Sequence, residues 1–144
     1  MARLEKFSIF ESGFLISTMT EKDLKQRTKA FSLRVLKLID SLPETRAGRI
    51  LSNQLGRSGT SVGANYRAAC RSRSEAEMIS KLSVVEEEAD ESCFWMELIS
   101  EHGLMLPEKL VPLLREADEI TAIMVASRRT LAAKNPKSRI QNRK

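Results

Sequence analysis

Four stretches of this chain repeat apolar or small residues at alternating intervals of 4 and 3, the spacing of a helix buried along one stripe. The first holds Leu24, Thr28, Phe31, Val35, Leu38 and Leu42; the second holds Leu51, Leu55, Ser58, Val62, Asn65 and Ala69. The third runs Met78, Leu82, Val85, Ala89, Ser92, Met96 and Ile99. The fourth runs Leu110, Leu113, Ala117, Ile120, Met124, Ser127 and Leu131. No strand-like alternation competes with this period. Long helices with short connections lie antiparallel to their sequence neighbours. The pattern therefore specifies an all-α, antiparallel up-down-up-down four-helix bundle. A chain of 144 residues suffices for one such domain with a real core.

Helix ends are marked by residue type. Thr20 is the expected N-cap of the first helix, with Glu21 and Asp23 in its first turn. That helix runs to about Leu42. Pro43 then reads as the first-turn proline of the second, which runs to about Arg71. Ser74-x-x-Glu77 is a capping box opening the third, and Gly103 after His102 is its C′ residue. The fourth begins near Pro107, and Pro136 closes it. The bundle thus occupies residues 19–134. Residues 1–18 show no clear period and form an N-terminal extension; residues 135–144 form a basic C-terminal tail.

The second helix carries Gly48, Gly56, Gly59 and Gly63. Each interior glycine costs about 1 kcal/mol against alanine. The helix either breaks there or uses small residues to let a neighbouring backbone approach. The unbroken 4, 3 register favours one continuous helix.

Opposite its core stripe the same helix carries Arg46, Arg49, Arg57, Arg67 and Arg71, within an arc of roughly 80° at 100° per residue. The chain as a whole is mildly basic, with 24 Lys+Arg against 19 Asp+Glu and a net charge of +5. Helix three departs sharply from that balance: residues 74–103 hold nine carboxylates against Lys81 alone. The positive charge is therefore concentrated on the first two helices and the tail. The arginine stripe admits two readings. It contacts nucleic acid, or it is neutralised by acidic helix three of the same or a neighbouring subunit. No base-stacking aromatic interrupts it, so a nucleic-acid partner would be held by phosphate contact rather than base readout.

Catalytic chemistry is not apparent. The one histidine, His102, has no Glu three residues before it, which excludes a carboxylate-bridged di-iron bundle. It suits a capping or solvent position at a helix C-terminus. Cys70 and Cys93 lack zinc-ligand spacing. Gly56, Gly59 and Gly63 lie within a helix and make no phosphate loop. No signal peptide or 18-residue apolar run is visible, so the expectation is a cytoplasmic protein with no membrane contact, no metal and no cofactor.

Phe94 and Leu98 fall off the core stripe of helix three, with Trp95 on its flank. They either meet the N-terminal extension or form an oligomer interface, and the interface is the expectation. Asn65 is a polar residue on the core arc of helix two. Left unsatisfied it would cost a few kcal/mol, so it is expected to bond a neighbouring helix or side chain and fix register.

Two runs carry a family likeness. The first is Gln54-Leu55-x-Arg57-Ser58-x-Thr60-Ser61-Val62-Gly63-Ala64-Asn65-Tyr66-Arg67-Ala68-Ala69. The second is Lys81-Leu82-Ser83-Val84-Val85-Glu86-Glu87-Glu88-Ala89-Asp90-Glu91, continuing through Trp95-Met96-Glu97-Leu98-Ile99. Together they resemble small bacterial four-helix-bundle proteins encoded within intervening sequences of large-subunit (23S) ribosomal RNA genes. The likeness spans about residues 21–132. It implies a ring-like homopentamer. A related bundle, the accessory protein of diversity-generating retroelements, partners a reverse transcriptase and binds nucleic acid. Many members carry proline where this chain has Gly63 and an acid where it has Ala68, so the stripe here is more uniformly cationic. Two function classes follow: a non-catalytic oligomer binding structured RNA or other nucleic acid, or a non-catalytic assembly module docking a protein partner.

Overall fold

A computed structural model describes residues 7–11 and 14–134. Its four helices are α1 (Glu21–Asp40), α2 (Arg46–Ala69), α3 (Glu75–Glu101) and α4 (Pro107–Lys134). α2 packs on α1 and α3, α3 packs on α4, and α1 meets α4 to close the bundle. The tail at 135–144 lies outside the described residues.

Ahead of the bundle, β1 (Phe7–Glu11) and β2 (Phe14–Met19) pair antiparallel. The register sets Ile9 against Ile16 and Glu11 against Phe14, with an irregularity between Phe7 and Ile9. The extension is therefore not aperiodic chain. Its β-branched and aromatic residues flank a Ser-Gly dipeptide, a hairpin signal too short to register beside four long helices. β1 contacts α4.

Caps set the helix ends. Thr20 accepts from the Asp23 N–H at 3.1 Å while Asp23 accepts from the Thr20 N–H at 3.0 Å, a reciprocal box that opens α1. α2 opens three residues later than Pro43 suggests, because Thr45 Oγ1 accepts from the Gly48 N–H at 2.9 Å and fixes the first turn there. Pro43 belongs to the connection. Ser74 caps α3 through the Glu77 N–H at 3.1 Å, but the Glu77 carboxylate reaches back to the Arg73 N–H rather than to Ser74. Gly103 at φ +79° terminates α3 after His102.

The core follows the four stripes. Every register position named for α3 and α4 is buried. In α1, Leu24, Thr28, Phe31 and Val35 are buried and Leu38 is half-buried; Leu42 is buried just beyond the helix. α2 departs at one place. Tyr66 is fully buried and Asn65 is only half-buried, its amide donating to the Ser61 carbonyl one turn back at 2.9 Å. The stripe of α2 is thus rotated toward α1. Asn65 satisfies itself within its own helix and does not bridge to a neighbour.

The rotation follows from the glycines. α2 is continuous through Gly56, Gly59 and Gly63. A Cβ on Gly59 would lie 2.6 Å from a Val35 methyl, and one on Gly63 would lie 2.8 Å from Ser32 Oγ. α1 and α2 approach too closely there for any side chain. Ser32 fills the gap, donating to the Gly59 carbonyl at 2.8 Å and accepting from the Gly63 N–H at 3.3 Å.

Candidate nucleic-acid interface

All five arginines of the α2 stripe are exposed, but they divide into different environments. Arg57 turns toward α3, where it ion-pairs Glu88 at 3.3 Å and Glu91 more closely still. The Glu91 hydrogen bond and the Glu88 charge hold its guanidinium above the ordinary arginine range. The neutralisation reading is therefore met at Arg57, within one chain. Arg49 donates to the Glu44 carbonyl at 3.3 Å. The side chains of Arg46, Arg67 and Arg71 make no hydrogen bond or ion pair among the described residues.

Arg67 and Arg71 instead face α1. Together with Lys25 and Lys29 they line a groove of about 460 Å³ between α1 and α2. Gln26 and Thr60 add polar atoms to its walls, and Gly63 and Ala64 keep it open. Lys25 has a loose i, i+4 pair with Glu21 at 3.6 Å; Lys29 has none among the described residues. Cationic density in this groove is additive: four charges in one concave site raise the local anion concentration more than four scattered ones.

A second basic groove lies on the other flank of α1, against α4. Arg34, Lys37 and Lys109 line it, over the apolar Leu38, Met105 and Leu113. Its volume is about 320 Å³. Among the described residues neither groove is lined by a carboxylate. Arg27, by contrast, is taken up by α4: it donates to Glu116 at 2.6 Å and also pairs Glu119. Burial lowers its affinity for a proton, and the two carboxylates more than offset that.

Lys25, Lys29, Arg34, Lys37 and Lys109, which line these grooves, lie outside the α2 stripe that the sequence singles out. The signal was present as the excess of positive charge on the first helix. Which lysines would meet the α2 arginines depends on how α1 is rotated, and the close glycine contact sets that rotation.

The acidic helix carries the aromatic cluster. Phe94 is 49% exposed, and its ring meets Trp95 edge-on at 5.0 Å. Trp95 is half-buried and donates its indole N–H to Glu91 at 3.1 Å. Leu98 is half-buried against the core and shares a shallow depression with Ile50, itself 61% exposed. The aromatics expected at the surface thus divide: Phe94 stands out, while Trp95 and Leu98 sit in the α2–α3 seam.

Reactive chemistry is weak. Both cysteines are free. Burial, then the Asp118 charge, pushes the Cys93 thiol up to about 12; burial, then Glu21, pushes Cys70 up to about 11. Neither is a ready nucleophile. Among the described residues no group of three His, Cys, Asp or Glu side chains could hold a metal ion. No helix is long and apolar enough to cross a membrane.

Fold and surface together define a small four-helix bundle with cationic grooves beside one helix and an acidic, aromatic face on another. The model of the 23S rRNA-intervening sequence protein family matches residues 20–126, and the chain belongs to that family. A crystal structure of a protein of unknown function, from the S23 ribosomal protein family of Bacteroides thetaiotaomicron, superposes with a TM-score of 0.68 at 30% identity. That match covers 72% of this chain and 95% of the other. No curated protein matches the chain. The likeness seen in the two sequence runs is therefore a true family relation. Neither the family's description nor the neighbour's names a catalytic activity.

Proposed function

We propose that this protein is a non-catalytic, cytoplasmic nucleic-acid-binding bundle that grips the phosphate backbone of structured RNA in the α1–α2 groove. One observation carries the reading: Lys25 and Lys29 from α1, Arg67 from α2 and Arg71 from the turn just past its end line a single carboxylate-free groove. Packing against a core would not require four exposed cations to share one groove. Their paired placement fits successive phosphates, which are bound by charge without regard to sequence. Arg46 and Arg49 extend the basic surface toward the start of α2 and contribute more weakly.

A second reading is favoured by Phe94 and Ile50, large apolar residues left 49% and 61% exposed. In it, copies of the chain associate through the Phe94, Trp95 and Leu98 face of α3. The family likeness suggests a homopentameric ring, which would repeat the basic groove once per subunit. The two readings are compatible in an RNA-binding ring. Assembly without RNA binding would instead mark a scaffold docking a protein partner such as a reverse transcriptase.

The test is an RNA titration at about 50 and 200 mM salt with the Lys29→Ala/Arg67→Ala/Arg71→Ala variant. Wild type should bind with a steep salt slope. The variant should lose affinity and flatten that slope by about three units, one per phosphate contact. Unchanged binding by the variant removes the groove from the interface and leaves the assembly reading standing.

A further inference from the structure

The two basic grooves flank the same helix, and that arrangement narrows the ligand. The first uses Lys25 and Lys29 on the α2 side of α1. The second uses Arg34 and Lys37 on the α4 side, joined by Lys109. Along α1 the two pairs are centred about 13 Å apart at 1.5 Å per residue, and they leave the helix on opposite flanks of a cylinder about 10 Å across. The two clusters are therefore separated by roughly 16 Å, with a helix between them.

A single extended strand following the α1–α2 groove would have no reason to cross the crest of α1 into the second groove. Two backbones running on either side of that crest would meet both. The crest itself carries Leu33, 53% exposed, with Ala30 on the same outer side; Leu36, 41% exposed, lies on the α2 flank between the directions of Lys25 and Lys29. The crest offers no arginine or asparagine fork at its centre for reading base edges. It is also a corner helix of a bundle, flanked by α2 and α4, so it cannot enter a deep groove. The minor groove of an A-form duplex is wide and shallow and displays sugar edges, whereas its major groove is deep and narrow. The major groove of B-form DNA, about 8.5 Å deep, demands a helix that stands clear of its neighbours.

We propose that the ligand is double-stranded, A-form RNA. In this arrangement α1 lies against the minor groove, one strand's phosphates enter the α1–α2 groove, and the other strand's phosphates enter the α1–α4 groove. Leu33 packs against the sugar edge between the strands. This rests on the reading above that the α1–α2 groove binds phosphate, and it adds the second groove and the duplex.

The test uses the full chain and three fluorescent probes of one sequence: an RNA duplex of about 16 base pairs, its single strand, and the DNA duplex. The variant is Arg34→Ala/Lys37→Ala/Lys109→Ala, at exposed positions without a partner among the described residues. Wild type should bind the RNA duplex more tightly than either other probe. The variant should lose at least about tenfold on the RNA duplex, with a salt slope flatter by about three units, and change little on the single strand. Helical content by circular dichroism verifies that it is folded. Duplex binding that ignores the second groove, equal losses on duplex and single strand, or equal affinity of wild type for the DNA duplex would each overturn the proposal. The α1–α2 reading would survive all three. It fails separately, if wild type binds no nucleic acid or the α1–α2 variant binds as wild type does.

Discussion

The Ser32 hydroxyl donates to the Gly59 carbonyl at 2.8 Å, across the closest contact between α1 and α2. The approach it spans leaves no room for a Cβ at position 59, against Val35, or at position 63, against the Ser32 hydroxyl itself, and it fixes which face of α1 meets α2. Lys25 and Lys29 lie beside Arg67 and Arg71 as a consequence. The small residues of α2 thus connect packing to the basic groove.

Alanine at Gly59 tests this coupling. Helix propensity alone would stabilise the variant by about 1 kcal/mol. The new Cβ would lie 2.6 and 2.7 Å from the two Val35 methyls, on a β-branched side chain that cannot swing away. Overpacking of that kind costs about 1–3 kcal/mol. Gly59→Ala should therefore be net destabilising in urea unfolding. In a Val35→Ala background the same change should cost much less. Additive effects of the two substitutions would mean that the helices separate without resistance.

Within the arginine stripe the structure separates two groups. Arg57 is occupied by Glu88 and Glu91, whereas Arg67 and Arg71 face the groove. Arg57→Ala should leave RNA affinity nearly unchanged, and Arg67→Ala/Arg71→Ala should reduce it and flatten the salt slope by about two units. Equal loss from both variants would restore the stripe as one surface. An exposed pair such as Arg57–Glu88 contributes little to stability, so Arg57→Ala should also unfold at nearly the wild-type urea concentration.

The parts of this fold that were legible in the sequence are those set by period. The registers of α3 and α4, the Thr20 and Ser74 caps and the Gly103 stop all follow from local spacing and residue type. Asn65 was misplaced because the period alone cannot say how far a stripe is rotated. The glycines draw α2 toward α1 and bring Tyr66 inside in its place. The groove was half legible for the same reason. Arg67 and Arg71 fall together on the helical period, although α2 ends at Ala69 and Arg71 sits in the turn beyond it; their meeting with Lys25 and Lys29 is a tertiary fact. The strand pair Phe7–Glu11 and Phe14–Met19 offered only two short runs, below what helical periodicity would reveal.

The thiols predict an alkaline response. Cys70 and Cys93 are raised from 9.0 to about 11 and about 12, chiefly by burial. An acid whose folded pKa is raised retains its proton longer in the folded state. Above pH 9 the unfolded chain therefore binds fewer protons than the folded one, and stability falls as pH rises. The thiol contribution is intact below about pH 9 and lost as pH climbs through about 11 to 12. Wild type should lose melting temperature more steeply between pH 9 and 11 than Cys70→Ala/Cys93→Ala. Parallel curves would assign the loss to other groups. At pH 8 both thiols should react slowly with a thiol reagent until the chain is unfolded.

Phe94 supplies the last prediction. It is 49% exposed on a helix whose outer face is otherwise acidic, with Glu87, Asp90, Glu97 and Glu101 exposed around it. β1 meets the bundle at α4. A phenylalanine among carboxylates gains nothing from solvent, and burying its exposed half in a second copy would recover about 0.8–1.5 kcal/mol per ring. Phe94→Glu adds a like charge to that face and removes the apolar contact. The variant should run as a monomer in light scattering while keeping its helical circular dichroism, because Phe94 takes no part in the buried core. Wild type should be larger and should dissociate on dilution. A wild type already monomeric, or a variant of unchanged mass, would place any self-association elsewhere. The same experiment bears on RNA binding. If copies of the groove act together in an oligomer, Phe94→Glu should weaken RNA affinity through lost multivalency although no cation has been altered.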